Sequence, residues 1–205
     1  MERLLKVFFV TLTLLMTACN SKKQTDEEVK SSIEEKQAVE YVKTIAAENK
    51  KTVLSCKATT GNYPYYLSDR YAQAFLSAGL NKFLSDTKMS QEDEKILVEQ
   101  FRQIAKDVKK TDTKDKYIIV MAEFGSENNK NEISKYLYFF RLPFDFKDGR
   151  LPTKAGKITK EIKQQVSLIA LLEKGVSLQD LKQSKETDKK ILNEIKDPVL
   201  KFIIE

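Results

Sequence analysis

Two runs, Tyr117-Ile118-Ile119-Val120-Met121-Ala122 and Tyr136-Leu137-Tyr138-Phe139-Phe140-Arg141-Leu142, decide the reading of the fold. Both are dense in β-branched and aromatic residues, the types that suit a pleated, packed surface. The stretch between them holds Gly125-Ser126-Glu127-Asn128-Asn129-Lys130-Asn131, which is polar and turn-forming. The arrangement predicts an antiparallel hairpin. Near their centres the runs are apolar at consecutive positions. Successive strand side chains point to opposite faces, so both faces of this hairpin need cover. One layer of helix cannot supply that; either a second layer exists or a partner takes one face. We read it as core burial.

Helical spacing surrounds the hairpin. Ala38, Val39, Val42, Ile45 and Ala46 put an apolar face on a helix over roughly Ser32–Asn49. Val53–Ala58 is expected as a short strand, and Thr59–Pro64 as a loop by its turn residues. Ser68 is placed to cap a helix carrying Tyr71, Ala72, Phe75, Ala78, Phe83 and Leu84, with Gly79 inside it. Ser90 caps the clearest helix: Glu92, Asp93 and Glu94 fill its first turn, Leu97, Phe101, Ile104 and Val108 form its stripe, and Lys109-Lys110 end it. Pro143 closes the second strand, and Asp145–Gly156 reads as a loop. Thr159–Lys174 is a further helix with Gly175 at its C′ position. Ser177-Leu178-Gln179-Asp180 and Thr187-Asp188 start two shorter ones. Pro198 stops the last, leaving Val199–Ile204 as an apolar tail that we expect to dock as an edge strand. The whole predicts a helix-rich α+β domain, residues 37–205, around a small antiparallel hairpin or sheet.

Composition excludes more than it assigns. The chain has 205 residues, with 41% hydrophobic and 32% charged, which supports a core without disulfide staples. It contains no His, which removes Ser-His-Asp and Cys-His catalysis, His-ligated metal sites and an imidazole pH switch. It contains no Trp, so no Trp-lined sugar cleft. The formal charge is +6, but acidic residues interleave with the basic ones, and no nucleic-acid arm stands out. We expect no nucleic-acid partner, no cofactor and no metal.

The N-terminal segment carries the address. Arg3 and Lys6 precede a charge-free run, Val7–Ala18, too short to span a bilayer but suited to a signal-peptide core. It closes on Leu15-Met16-Thr17-Ala18-Cys19, which resembles the lipobox of bacterial lipoproteins, with Met16 where that family more often has Leu. The resemblance implies a signal peptide over residues 1–18 and cleavage before Cys19. Cys19 would be acylated on its thiol, and in many species on its amine, anchoring the protein to the lipid bilayer of the cell envelope. Asn20 in place of Asp leans towards the outer over the inner membrane by the sorting rule of enteric-type lipoproteins. Residues 19–36 read as the lipidated Cys and a flexible tether, charged and poor in apolar groups; Ser32-Ile33-Glu34-Glu35 has capping-box spacing for the helix that follows. With Cys19 lipidated, Cys56 is the remaining thiol, expected to be buried and inert beside Val53 and Leu54.

Three groups invite chemistry. Ser85-Asp86-Thr87-Lys88, Ser126-Glu127-Asn128 and Lys154-Ala155-Gly156 occur in the order used by penicillin-recognising serine enzymes. That chemistry needs its Ser at the start of a buried helix, whereas Ser85 falls at a helix end, and Ala155 stands where a hydroxyl residue is usual. Asp145 and Asp148 beside Gly149 offer too few oxygens for calcium. Tyr63, Tyr65 and Tyr66 around Pro64 are the binding candidates, since loop aromatics give contact area at small entropic cost; the competing reading, which outweighs it, is that they fold back as a lid over Tyr136, Tyr138 and Phe140 of the hairpin. We name no catalytic residue. The function that follows is a membrane-anchored, non-catalytic binding or scaffolding module for an envelope protein or wall polymer. A His-independent hydrolase or wall-modifying enzyme is the runner-up, and a binder of small apolar ligands the third reading.

Substituting Cys19→Ala is expected to move the protein from the membrane to the soluble fraction of cells. Unchanged membrane retention would contradict lipid anchoring.

Overall fold

A computed structural model describes residues 26–71, 73, 90–112, 115–125, 132–148, 151–176 and 194–205. The chain divides into two compact units, residues 1–33 and 34–205. The described part of the first is helical. Cys19 and the signal segment lie outside the described residues, as do Ser85–Lys88, Ser126–Asn128, Ser177–Asp180 and Thr187-Asp188.

In the larger unit the expected hairpin forms the two middle strands of the sheet. Strand β2 (Lys116–Gly125) pairs antiparallel with β3 (Ile133–Arg141), with Ile119 opposite Phe139 and Val120 opposite Tyr138. On the other side of β2 runs β1 (Thr52–Asn62), and on the other side of β3 runs β4 (Lys154–Lys157), giving a four-stranded antiparallel meander in the order β1-β2-β3-β4. This is the α+β architecture expected from the sequence.

Both faces of the hairpin are packed, each by its own helices. On one face Ile118, Val120, Ala122, Phe124, Tyr138 and Phe140 meet Ala38, Val42 and Ala46 of helix α1 (Asp26–Glu48). On the other, Tyr117, Ile119, Met121, Leu137 and Phe139 meet three helices: α2 (Gln91–Asp112), α3 (Lys160–Glu173) and α4 (Pro198–Ile204). The apolar run that alternation alone could not explain is therefore the middle layer of three. Side chains from α1 supply one core and those from α2, α3 and α4 the other.

The local signals set the helix ends. Ser90 Oγ accepts from the Asp93 amide at 3.1 Å and donates to the Asp93 carboxylate at 2.6 Å, a reciprocal cap. Thr159 caps α3 by accepting from the Ile162 amide, and Gly175 follows its end at φ +84°, a left-handed conformation that glycine adopts without penalty. Ser68 accepts from the Tyr71 amide at 3.2 Å, the expected cap.

Four expectations need correction. The tail Val199–Ile204 is helical: Asp197 accepts from the Val199 and Leu200 amides, Pro198 takes the first-turn position where its missing N–H costs nothing, and Val199, Ile203 and Ile204 are buried along one side. β1 runs on through Thr59-Thr60-Gly61-Asn62, because β-branched Thr59 and Thr60 pair with Ile119 and Ile118 and override the turn signal of the glycine. β4 lies within the expected loop; Lys154-Ala155-Gly156-Lys157 is exposed and has no strand-like alternation, and its backbone pairing with β3 makes it a strand. Helix α1 begins at Asp26, ahead of the expected Ser32 and within the stretch read as tether; no Gly or Pro interrupts residues 26–48.

Phe140→Ala on the α1 face and Ile203→Ala on the opposite face should each lower unfolding free energy by about 3 kcal/mol, as for large core truncations. Urea denaturation measures it. A loss below about 1 kcal/mol for either would mean that its face is not part of the cooperative core.

Candidate functional site

The tyrosine segment leaves β1 at Asn62 and turns at once. Pro64 accepts from the Leu67 amide at 2.9 Å and Tyr65 from the Ser68 amide at 3.0 Å, forming a single 3₁₀ turn over Tyr65–Leu67. The turn brings all three predicted tyrosines to one place, against the sheet face that α2, α3 and α4 cover. Tyr63 packs its ring 5.0 Å from Phe139 and 5.6 Å from Tyr117, and its hydroxyl donates to the Leu67 carbonyl at 3.3 Å. Tyr65 sits edge-on to Tyr66 and Tyr71 at 5.3 Å from each. Tyr66 is buried, whereas Tyr63 and Tyr65 are half-buried.

Carboxylates from two other helices hold the turn. Glu173, in the last turn of α3, accepts from the Tyr65 hydroxyl at 2.6 and 2.7 Å and from Tyr71 at 3.4 Å, and pairs with Lys109 of α2 at 2.7 Å. A carboxylate at a helix C-terminus opposes the helix dipole; Lys109 and the two phenols offset that. Lys109 also lies 4.4 Å over the Tyr65 ring, a cation–π contact. Tyr66 donates to Asp197, the cap of α4, at 3.5 Å.

These phenols do not ionise readily. Burial pushes the pKa of Tyr65, Tyr66 and Tyr71 well above the ordinary phenol value; the Glu173 carboxylate adds to it for Tyr65 and Tyr71, and Asp197 for Tyr66. Burial likewise pushes Tyr138, on the α1 face, up to about 12. Tyr65, Tyr66 and Tyr71 are therefore fixed hydrogen-bond donors at neutral pH.

Between the turn, the C-terminal half of β1 and the start of α4 lies a cleft of about 350 Å³. Thr59, Thr60, Gly61 and Asn62 form one side, Tyr63–Tyr66 the next, and Asp197–Val199 the third, with Ile119 also in the lining. The lining is mainly apolar. A Cβ placed on Gly61 would have no atom within 4 Å, so the space above that backbone is open. The side chains of Thr59 and Asn62 have no hydrogen-bond partner among the described residues.

The other candidates lie apart. Lys154-Ala155-Gly156 is the exposed strand β4, with Lys154 4.5 Å over the Tyr63 ring. Asp145 accepts from the Lys147 amide at 2.9 Å, a local turn bond, and no group of three or more His, Cys, Asp or Glu able to hold a metal occurs among the described residues. Cys56 is half-buried rather than fully buried, because β1 is an outer strand; its Sγ lies 4.0 Å from the Val39 carbonyl of α1, and burial pushes its pKa up, which disfavours the reactive thiolate. No helix among the described residues is long and apolar enough to cross a membrane. Sequence reasoning missed Glu173, Lys109 and Asp197. Asp197-Pro198 carried a helix-start signature that could have found the last; nothing local marks the other two.

Comparison with known proteins finds no matching family model, no matching curated protein and no matching solved structure.

The raised phenol values set an alkaline limit to stability. A group whose folded pKa lies above its unfolded value stabilises fully below the unfolded one, near 10.0 here, and that contribution is lost as pH rises beyond it. Thermal stability should therefore fall above about pH 10, and a Tyr65→Phe, Tyr71→Phe variant should fall less steeply there. Parallel alkaline limbs for the two proteins would contradict the assignment.

Proposed function

We propose that the protein is a non-catalytic binding module of the bacterial cell envelope, held to the membrane through acylated Cys19 and capturing an envelope component in the cleft beside Gly61. The observation that carries the binding half of this reading is the cleft itself: open space over a glycine, a mostly apolar lining, and walls fixed by Glu173 and Asp197. A rigid, preformed concavity with few polar groups is what ligand sites commonly are. The membrane half rests on the lipobox-like Leu15–Cys19 segment.

Catalysis is the weaker reading because the carboxylates near the cleft are already engaged. Asp197 accepts from two helix amides and a phenol, and Glu173 is ion-paired with Lys109 and accepts from two phenols. Neither stands ready to take a proton from a bound molecule. Ring stacking on a sugar is also disfavoured, since Lys154 covers a face of Tyr63 and Lys109 a face of Tyr65.

A photo-crosslinking residue at Asn62, on the cleft rim, should trap a discrete envelope component in intact cells, while the same residue at Glu99, on the exposed side of α2, should not. Identical adducts from both positions, or none from Asn62, would overturn the cleft as the binding site.

A further inference from the structure

The two edges of the sheet are unlike. An edge strand offers unpaired N–H and C=O groups to any passing strand, and proteins blunt such edges with short length, lysines, prolines or bulges. β4 is four residues long with a Lys at each end. β1 is eleven residues long. Its one irregularity lies between Val53 and Ser55; from Ser55 to Asn62 the register with β2 is unbroken, with one lysine and no proline. Beyond the ladder to β2, Lys57, Ala58, Thr59, Gly61 and Asn62 have no backbone hydrogen-bond partner among the described residues.

The cleft reaches that edge from the sheet face that α4 covers, where Ile119 of β2 also lines it. Thr59, Thr60, Gly61 and Asn62 point alternately to opposite faces of the sheet, yet all four line it. A cavity lining consecutive residues of a strand touches the backbone rim and not one face alone.

Resting on the reading of this cleft as the binding site, we propose that an extended segment of a partner protein adds to the outer edge of β1 as a further antiparallel strand, with an apolar side chain in the cleft beside Gly61 and an acidic side chain opposite Lys57. Main-chain bonds give affinity in this mode and pockets for alternate side chains give specificity. Lys57 and Gly61 share a face of β1, so the two recognised residues stand four apart in the partner, the apolar one first.

Charge selects the occupant. Lys57 is exposed and has no ion-pair or hydrogen-bond partner among the described residues. A second copy of β1 cannot supply the acid, because Thr-Val-Leu-Ser-Cys-Lys-Ala-Thr-Thr-Gly-Asn contains none. An extended acidic partner satisfies both the edge and the lysine.

The test is fluorescence anisotropy on the full chain with labelled nonapeptides of the form Thr-Val-Phe-Thr-Val-Thr-Asp-Val-Thr, with Phe varied to Leu, Ile or Tyr. Gly61→Leu should fold, since its Cβ meets open space, and should weaken binding about tenfold or more by filling the cleft. Lys57→Glu should weaken it by about fivefold, the scale of a cross-strand charge pair, and replacing the peptide Asp by Lys should restore it. No binding of any of the panel at millimolar concentration, or equal binding by both variants, overturns the proposal. So does a concentration-dependent dimer that the peptides fail to dissociate. An Asn62 adduct of lipid or wall polymer, without peptide binding, would overturn the strand addition while leaving the cleft as the binding site.

Discussion

Burial of the β2–β3 hairpin on both faces is the constraint on which the rest depends. A strand pair that is apolar on one side needs one covering layer; Ile118-Ile119-Val120-Met121 and Leu137-Tyr138-Phe139-Phe140 are apolar on both. Helix α1 must therefore lie against one side and α2, α3 and α4 against the other, and the flanking strands are left at the margins of that cover. β1 in particular has no fully buried residue. The open cleft is a consequence of this arrangement: it forms where cover on the α4 side ends and the outer strand begins.

The tyrosine turn is what keeps that margin from collapsing. Tyr63 is wedged on Tyr117 and Phe139 at the sheet, while Tyr65 and Tyr66 are tied by their hydroxyls to α3 and α4. Each phenol combines an apolar body that enters the core with a polar tip that finds an acceptor, a backbone carbonyl for Tyr63 and a carboxylate for Tyr65 and Tyr66, so its burial leaves no unsatisfied group. The segment thus packs and lines a cleft at once. Packing and binding, posed as alternatives when the sequence is read alone, are compatible at these three positions.

Much of the fold was legible because it rests on local chemistry. The hairpin followed from residue type, and the caps Ser68 and Ser90 and the terminating Gly175 from rules that act within a few residues. What escaped depends on distant partners. β4 is a strand because β3 offers it a ladder, and Thr59–Asn62 is strand because Ile118 and Ile119 lie beside it. For the site, the tyrosines were visible as types, but the carboxylates that fix them were not. Glu173 and Tyr65 are 108 residues apart, and no periodicity in either segment announces the meeting.

The central claim is that the hairpin is sealed on both faces while, among the described residues, the outer edge of β1 stays open at Lys57, Ala58, Thr59, Gly61 and Asn62. Native-state amide hydrogen exchange measures both together. The account predicts that amides of Ile118–Ala122 and Leu137–Phe140 exchange only through global unfolding, and that within Lys57–Asn62 protection alternates, slow where the N–H faces β2 and fast where it faces outward. Uniformly slow exchange along Lys57–Asn62 would mean that the edge is already covered, and would contradict the account.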